Sequence, residues 1–166
     1  MPARLPDLID PLHCVDKGRH WQGEIPLSRM TRLATMIVNP EEKAVINLTF
    51  SREGKVAAVT GSVRATLALT CQRCLEPVFM TVDQPIQLGI VTSIEEGEAL
   101  PEPYEPLLLE DEQIRLGSIV EDELILVIPN VPRHDDCRVL QVQTGSGEKG
   151  RRDNPFEVLA NWKSKH

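Results

Sequence analysis

Between Val63 and Thr70 the chain alternates with a period of two: Val63, Ala65, Leu67 and Leu69 stand between Arg64, Thr66, Ala68 and Thr70. That spacing puts one apolar face against a core and a more polar face outward, the pattern of a half-buried antiparallel strand. The strand belongs to a β-compatible run from Lys55 to Cys71, preceded by a second run from Ala44 to Phe50. Arg52-Glu53-Gly54-Lys55 between them has hairpin composition. A third strand is predicted from about Val78 to Val91, with Cys71-Gln72-Arg73-Cys74-Leu75-Glu76-Pro77 as the turn leading into it. The predicted order is a β-meander.

Helical spacing occurs in two places. Leu27, Met30, Leu33, Ala34 and Ile37 recur at three- and four-residue intervals after Pro26, which predicts a helix that Asn39-Pro40 ends. Leu116 to Ile128 predicts a second helix with Ser118 near its N-cap and Glu121, Asp122 and Glu123 in its first turns, stopped by Pro129. Leu8 to Leu12 and His20 to Ile25 read as short extended pieces. The segment from about 92 to 113 carries Pro101, Pro103 and Pro106 and reads as an irregular excursion rather than a packed element. Gly145 to Gly150 has linker composition, and Asn154-Pro155-Phe156 opens a short helix with Phe156, Leu159 and Trp162 on one face. The expected fold class is α+β: an antiparallel β-meander or partly closed barrel with two or three helices. The expected organisation is a single domain over 1–143, followed by a flexible linker and short C-terminal helix over 144–166.

Composition changes this picture little, and charge changes it more. With 166 residues, 41% hydrophobic and only 4% aromatic, the chain can bury one core built from aliphatic side chains. The net charge is −7, and almost all of the excess lies between 92 and 137, where 13 acidic residues face two basic ones. Such a stretch repels a phosphate backbone and attracts basic proteins, although a solvated, solubilising face is the simpler reading. No stretch from Met1 onward has the apolar run of a signal peptide or membrane span, so the expected location is the cytoplasm.

Four cysteines are too few for a secreted disulfide framework, which leaves thiol or metal chemistry. Cys71 and Cys74 form a C-x-x-C pair, half of a tetrahedral zinc site; His134 and Cys137 repeat the two-residue spacing with an imidazole and a third thiol. Three readings stay open: a structural zinc site from these four residues, a turn with free thiols, or redox chemistry. The last fits poorly, because the pair is followed by Pro77 and a strand rather than opening a helix. Phosphate-loop, dinucleotide, nucleophile-elbow and H-E-x-x-H signatures are all missing, so no catalytic residue is assigned. Arg64, Arg73, Arg151, Arg152, Lys163 and Lys165, with Trp162, are the cations and aromatic that would contact RNA.

Four separated segments match one pattern in order and spacing: Cys71 to Pro77, Ala99 to Pro106, Val120 to Pro129, and Asn154 to Ala160. Together they resemble the YceD (DUF177) family, most closely its proteobacterial branch, where Val131-Pro132-Arg133-His134 and Cys137 also have counterparts. The resemblance implies a bacterial, non-enzymatic ribosome biogenesis factor needed for accumulation of 23S rRNA of the large ribosomal subunit, encoded in many genomes beside a small large-subunit ribosomal protein. The expected partner is a ribosomal protein or large-subunit precursor. Glu121, Asp122 and Glu123 in the acidic stretch would receive it, while Arg151, Arg152, Phe156 and Trp162 in the C-terminal arm dock on rRNA or another partner. The alternatives are a zinc-containing rRNA-binding module and a thiol oxidoreductase.

Overall fold

The computed structural model describes residues 5–139. The expected C-terminal helix, and with it Arg151, Arg152, Phe156 and Trp162, lies outside them. Three long strands form the frame: β3 (Lys43–Glu53), β4 (Val56–Thr70) and β5 (Pro77–Val91). With β2 (His20–Pro26) ahead of them they make an antiparallel meander, and β6 (Glu105–Leu108) joins β5 in parallel, giving the order β2-β3-β4-β5-β6. The sheet is open. A separate two-stranded piece pairs β1 (Leu8–Ile9) with β7 (Ile114–Arg115).

The alternation along β4 is realised as burial: Val63, Ala65, Leu67 and Leu69 face the core with Ile46, Leu48 and Phe50 of β3, while Arg64 and Thr66 stay exposed. Gly54, at φ +62, supplies the left-handed conformation that the two-residue β3–β4 turn requires. Gly61 is demanded by a close approach, since a Cβ there would lie 1.9 Å from the carbonyl oxygen of Asn47 on β3. Helix α4 (Leu116–Leu126) lays Leu116, Ile119, Val120 and Leu124 onto the same core.

Four expectations need correction. Pro11 opens a helix, α1 (Pro11–Asp16), whose N-cap Asp10 accepts from His13 N–H at 2.9 Å, so Leu8 to Leu12 is not extended throughout. The helix expected after Pro26 is broken into a 3-10 turn over Leu27–Arg29 and a single helical turn, α2 (Thr31–Ala34). Leu27, Met30, Leu33 and Ile37 are all buried as their spacing requires, but Leu27 N–H bonds to Glu42 O at 2.9 Å, which ties that residue to the start of β3. In α4 the N-cap is Arg115, and Ser118 lies inside the helix, because the chain enters from β7 with Leu116 N–H bonded to Asp7 O. Glu121, Asp122 and Glu123 therefore sit beyond the first turn, where the helix dipole does little for them. Finally, the segment 92–113 is an ordered excursion: α3 (Ile94–Glu98), capped by Ser93, leads to β6. Leu107 and Leu109 pack on the core, and the Tyr104 hydroxyl donates to Glu53. Among the described residues there are four α-helices, one or two more than expected.

Candidate metal centre

The β4–β5 turn is built to carry side chains inward. Cys71 N–H bonds to Glu76 O and Leu75 N–H to Cys71 O, both at 2.9 Å, and Leu75 adopts φ +64 to close the turn. The segment after α4 then docks beside it: Gln72 N–H donates to Pro132 O at 2.8 Å, and the Arg73 guanidinium donates to the carbonyls of His134 and Asp135 at 2.6 and 3.1 Å. These backbone anchors bring two pairs of residues, some 60 positions apart in sequence, to one corner.

The ligand atoms of Cys71, Cys74, His134 and Cys137 all lie within 4.8 Å of one another. Cys71 Sγ is 3.6 Å from Cys137 Sγ, and Cys74 Sγ is 3.4 Å from His134 Nδ1. All four cysteines of the chain are free thiols. A disulfide would need sulfurs about 2.05 Å apart. Tetrahedral zinc with Zn–S bonds of about 2.3 Å places neighbouring sulfurs about 3.8 Å apart, so the observed spacing fits a shared central ion.

The imidazole is oriented for that role. His134 Nε2 lies 3.0 Å from the Pro77 carbonyl, which can only accept, so Nε2 carries a proton and Nδ1 is the nitrogen turned to the thiols, the one that would ligate a metal. Arg73 supplies a compensating charge: its Nε donates to Cys137 Sγ at 3.0 Å. Burial pushes the Cys71 thiol up, but N–H groups of Cys74, Arg73 and His134 directed at its sulfur outweigh this and bring it down to about 5. Burial and the neighbouring Cys71 push the Cys137 thiol up, but hydrogen bonds from Arg73, His134 and Cys74 together outweigh them, so that thiol falls below its ordinary value. Hydrogen bonds from Glu76 favour the Cys74 thiolate, yet burial and the adjoining Cys71 and Cys137 sulfurs leave it raised. Cys137 and Cys71 hold His134 above its usual range. Two thiols inclined to ionise, a third beside them and an oriented imidazole are a Cys3His donor set that could hold a metal ion such as zinc.

The other residues singled out by sequence fall elsewhere. Glu121 is buried and works inside the fold: its Oε1 accepts from the N–H groups of Arg32 and Leu33 at 2.7 and 3.0 Å, and its Oε2 from the Arg32 guanidinium at 3.0 Å. It thereby caps α2 from across the core. Asp122 is exposed and pairs with Arg32 at 2.6 Å; Glu123 is buried, its carboxyl raised by burial and by the nearby Glu105 and Asp122. Arg64 pairs with Asp83 at 2.6 Å, and Arg73 is drawn into the cysteine corner, so two of the six cations considered for RNA are engaged. Sequence reasoning missed Arg73 as the bracket of the corner and the Pro77 carbonyl as the histidine's partner. The signal for the first was an arginine set between the two cysteines; for the second there was none.

Fold and corner define a class: a small α+β domain in which a metal-capable Cys3His set fastens a trailing loop to a strand hairpin. Residues 59–163 match the family described as Large ribosomal RNA subunit accumulation protein YceD, and the chain belongs to that family. It is similar to the Large ribosomal RNA subunit accumulation protein YceD of Haemophilus influenzae, with 34% identity over an alignment of 171 positions that covers 98% of each chain. No solved structure matches the chain. Among the described residues, no helix is long and apolar enough to cross a membrane.

Proposed function

We propose that the protein is a non-catalytic, cytoplasmic ribosome biogenesis factor that promotes accumulation of 23S rRNA by binding a basic ribosomal protein of the large subunit, free or in an assembly intermediate. The family's name supports the process. The observation that carries the binding mode is the acidic excursion, where eight acidic residues and no basic one lie between 92 and 112. Of these, Glu95, Glu96, Glu98, Glu102 and Glu105 are exposed on or beside α3 and β6. With Glu121 bonded inside the fold, Glu123 buried and Asp122 paired with Arg32, these exposed carboxylates are the groups that meet a partner. The C-terminal residues Arg151, Arg152, Phe156 and Trp162 add a contact to rRNA or to the same intermediate. Zinc at Cys71, Cys74, His134 and Cys137 is structural in this reading, holding the 131–137 loop in place. A thiol oxidoreductase is disfavoured because the sulfur brought to about 5 belongs to Cys71, which is 0% exposed.

The test is complementation of cells lacking the protein, with the 23S to 16S rRNA ratio as readout. Wild type restores the ratio, and the folded triple variant Glu95→Lys/Glu96→Lys/Glu98→Lys leaves it depressed. Full rescue by that variant, together with failure of Arg151→Ala/Arg152→Ala, transfers the role to RNA contact.

A further inference from the structure

Strand β5 is paired with β4 from Pro77 to Gly89 on one side, but on the other side β6 pairs only with Leu88 to Val91. Three contacts fix which backbone groups of β5 face that second side. Cys71 N–H bonds to Glu76 O toward β4, whereas Pro77 O accepts from His134 and Val91 O accepts from Leu109 N–H, both away from β4. Because N–H and C=O of one strand residue point to the same side and alternate along the chain, the odd-numbered residues of β5 direct their backbone to the uncovered edge. Pro77 and Pro85 have this same parity, so neither costs the ladder a donor, as expected of proline in an edge strand. Between the two prolines, Phe79, Thr81 and Asp83 present three N–H donors and three carbonyl acceptors with no backbone partner among the described residues. Phe79 stands beside them 69% exposed.

Natural sheets either blunt such a row, with prolines, charges or bulges, or leave it for a strand to pair with; here the prolines stand at its two ends and leave the three residues between them open. The charge around the edge selects the occupant. Glu76 lies before its start and Glu105 of β6 at its far end, both exposed. The nearby cations Arg64 and Arg73 are already held by Asp83 and by the cysteine corner. We infer that the β5 edge from Val78 to Gln84 is a strand-addition site, taking an extended basic segment of a protein partner as a further strand of the sheet. The inference rests on the reading of a basic protein partner and adds its binding mode. The partner's backbone pairs with Phe79, Thr81 and Asp83, an apolar side chain covers Phe79, and lysine or arginine side chains reach Glu76 and Glu105. The two prolines cap the site at about seven residues, roughly 23 Å of strand.

The experiment uses the full chain and a seven-residue synthetic peptide alternating lysine and valine, with amide hydrogen exchange and binding affinity as readouts. The peptide slows exchange at Phe79, Thr81 and Asp83 at least tenfold. A version N-methylated on alternate amides, which keeps the charge but cannot pair as a strand, binds at least tenfold more weakly. Thr81→Pro, which removes only an outward donor from a strand that already holds two prolines of the same parity, weakens binding similarly. Peptide bound with these three amides unprotected, or equal affinity for the N-methylated peptide, overturns strand addition and leaves the acidic surface as the docking site. No binding of the peptide at all also overturns it, and the rRNA complementation above then decides separately whether the basic-partner reading stands. Protection already present in the free chain that disappears on truncation after Val139, or that grows with protein concentration, overturns it in favour of the chain's own C-terminal segment or a second copy.

Discussion

The sheet core and the cysteine corner hold chain segments in place by different physics. In the core, Ile46, Leu48, Phe50, Val63, Leu67 and Ile86 are wholly buried, and α4 packs onto the same core through Leu116 and Leu124, with Glu121 adding polar ties to Arg32 and Leu33. In the corner, the loop after α4 has no regular structure and leaves Val131 exposed. It is held by the hydrogen bonds of Gln72, Arg73 and His134 and by the meeting of four ligands. Apolar burial is cooperative and spread over many contacts, whereas ligand and hydrogen-bond anchoring is local and can be switched off one partner at a time. The core should therefore fail globally and the corner locally.

The largest effect belongs to the core. Gly61→Ala drives a methyl group into the Asn47 carbonyl in the middle of the β3–β4 ladder. It should cost about 3 kcal/mol or more and lower the denaturation midpoint without a separate local transition. Of intermediate size is the corner. Native mass spectrometry should find one zinc per chain, lost in Cys74→Ser. Metal removal should then speed exchange at the Gln72 amide more than tenfold while β3 and β4 amides keep their protection, with a Tm drop of roughly 5 °C. Chelation that unfolds the sheet together with the corner would erase the distinction between the two regions.

The same contrast governs what the sequence discloses. Strands β4 and β5 are legible to within a residue, and β3 to within three at its C-terminal end, because their period-two burial is local and continuous. The helix expected after Pro26 is not, since its apolar spacing is correct but its backbone partners are Glu42 O and Glu121, the latter some 90 residues away. Glu121 itself reads as a surface acid until the N–H groups it caps are seen. Helix α1 carries a local signal, Asp10 before Pro11, that is easily taken for an interruption of a strand. The four metal-capable residues are legible by type and spacing. Their meeting is not, because it depends on Gln72 N–H finding Pro132 O across the fold, an association without periodicity.

Glu123 gives the smallest effect and tests whether a charge placed against the core is a cost to it. Its side chain is buried on α4, and burial first, then the negative charges of Glu105 and Asp122, raises its carboxyl above the ordinary carboxylate range. A carboxyl raised in the folded state binds its proton more tightly there than in the unfolded chain. Stability is then greatest below the unfolded value of about 4.3 and declines as pH rises through the higher folded value. Glu123→Gln keeps the shape and removes the charge, so it should raise Tm at pH 7, with the gain shrinking toward zero near pH 4. Denaturation of both proteins across that range gives the answer. A variant less stable at pH 7 would mean that the carboxylate is paired in solution and belongs, like Glu121, to the polar anchoring rather than against the apolar core.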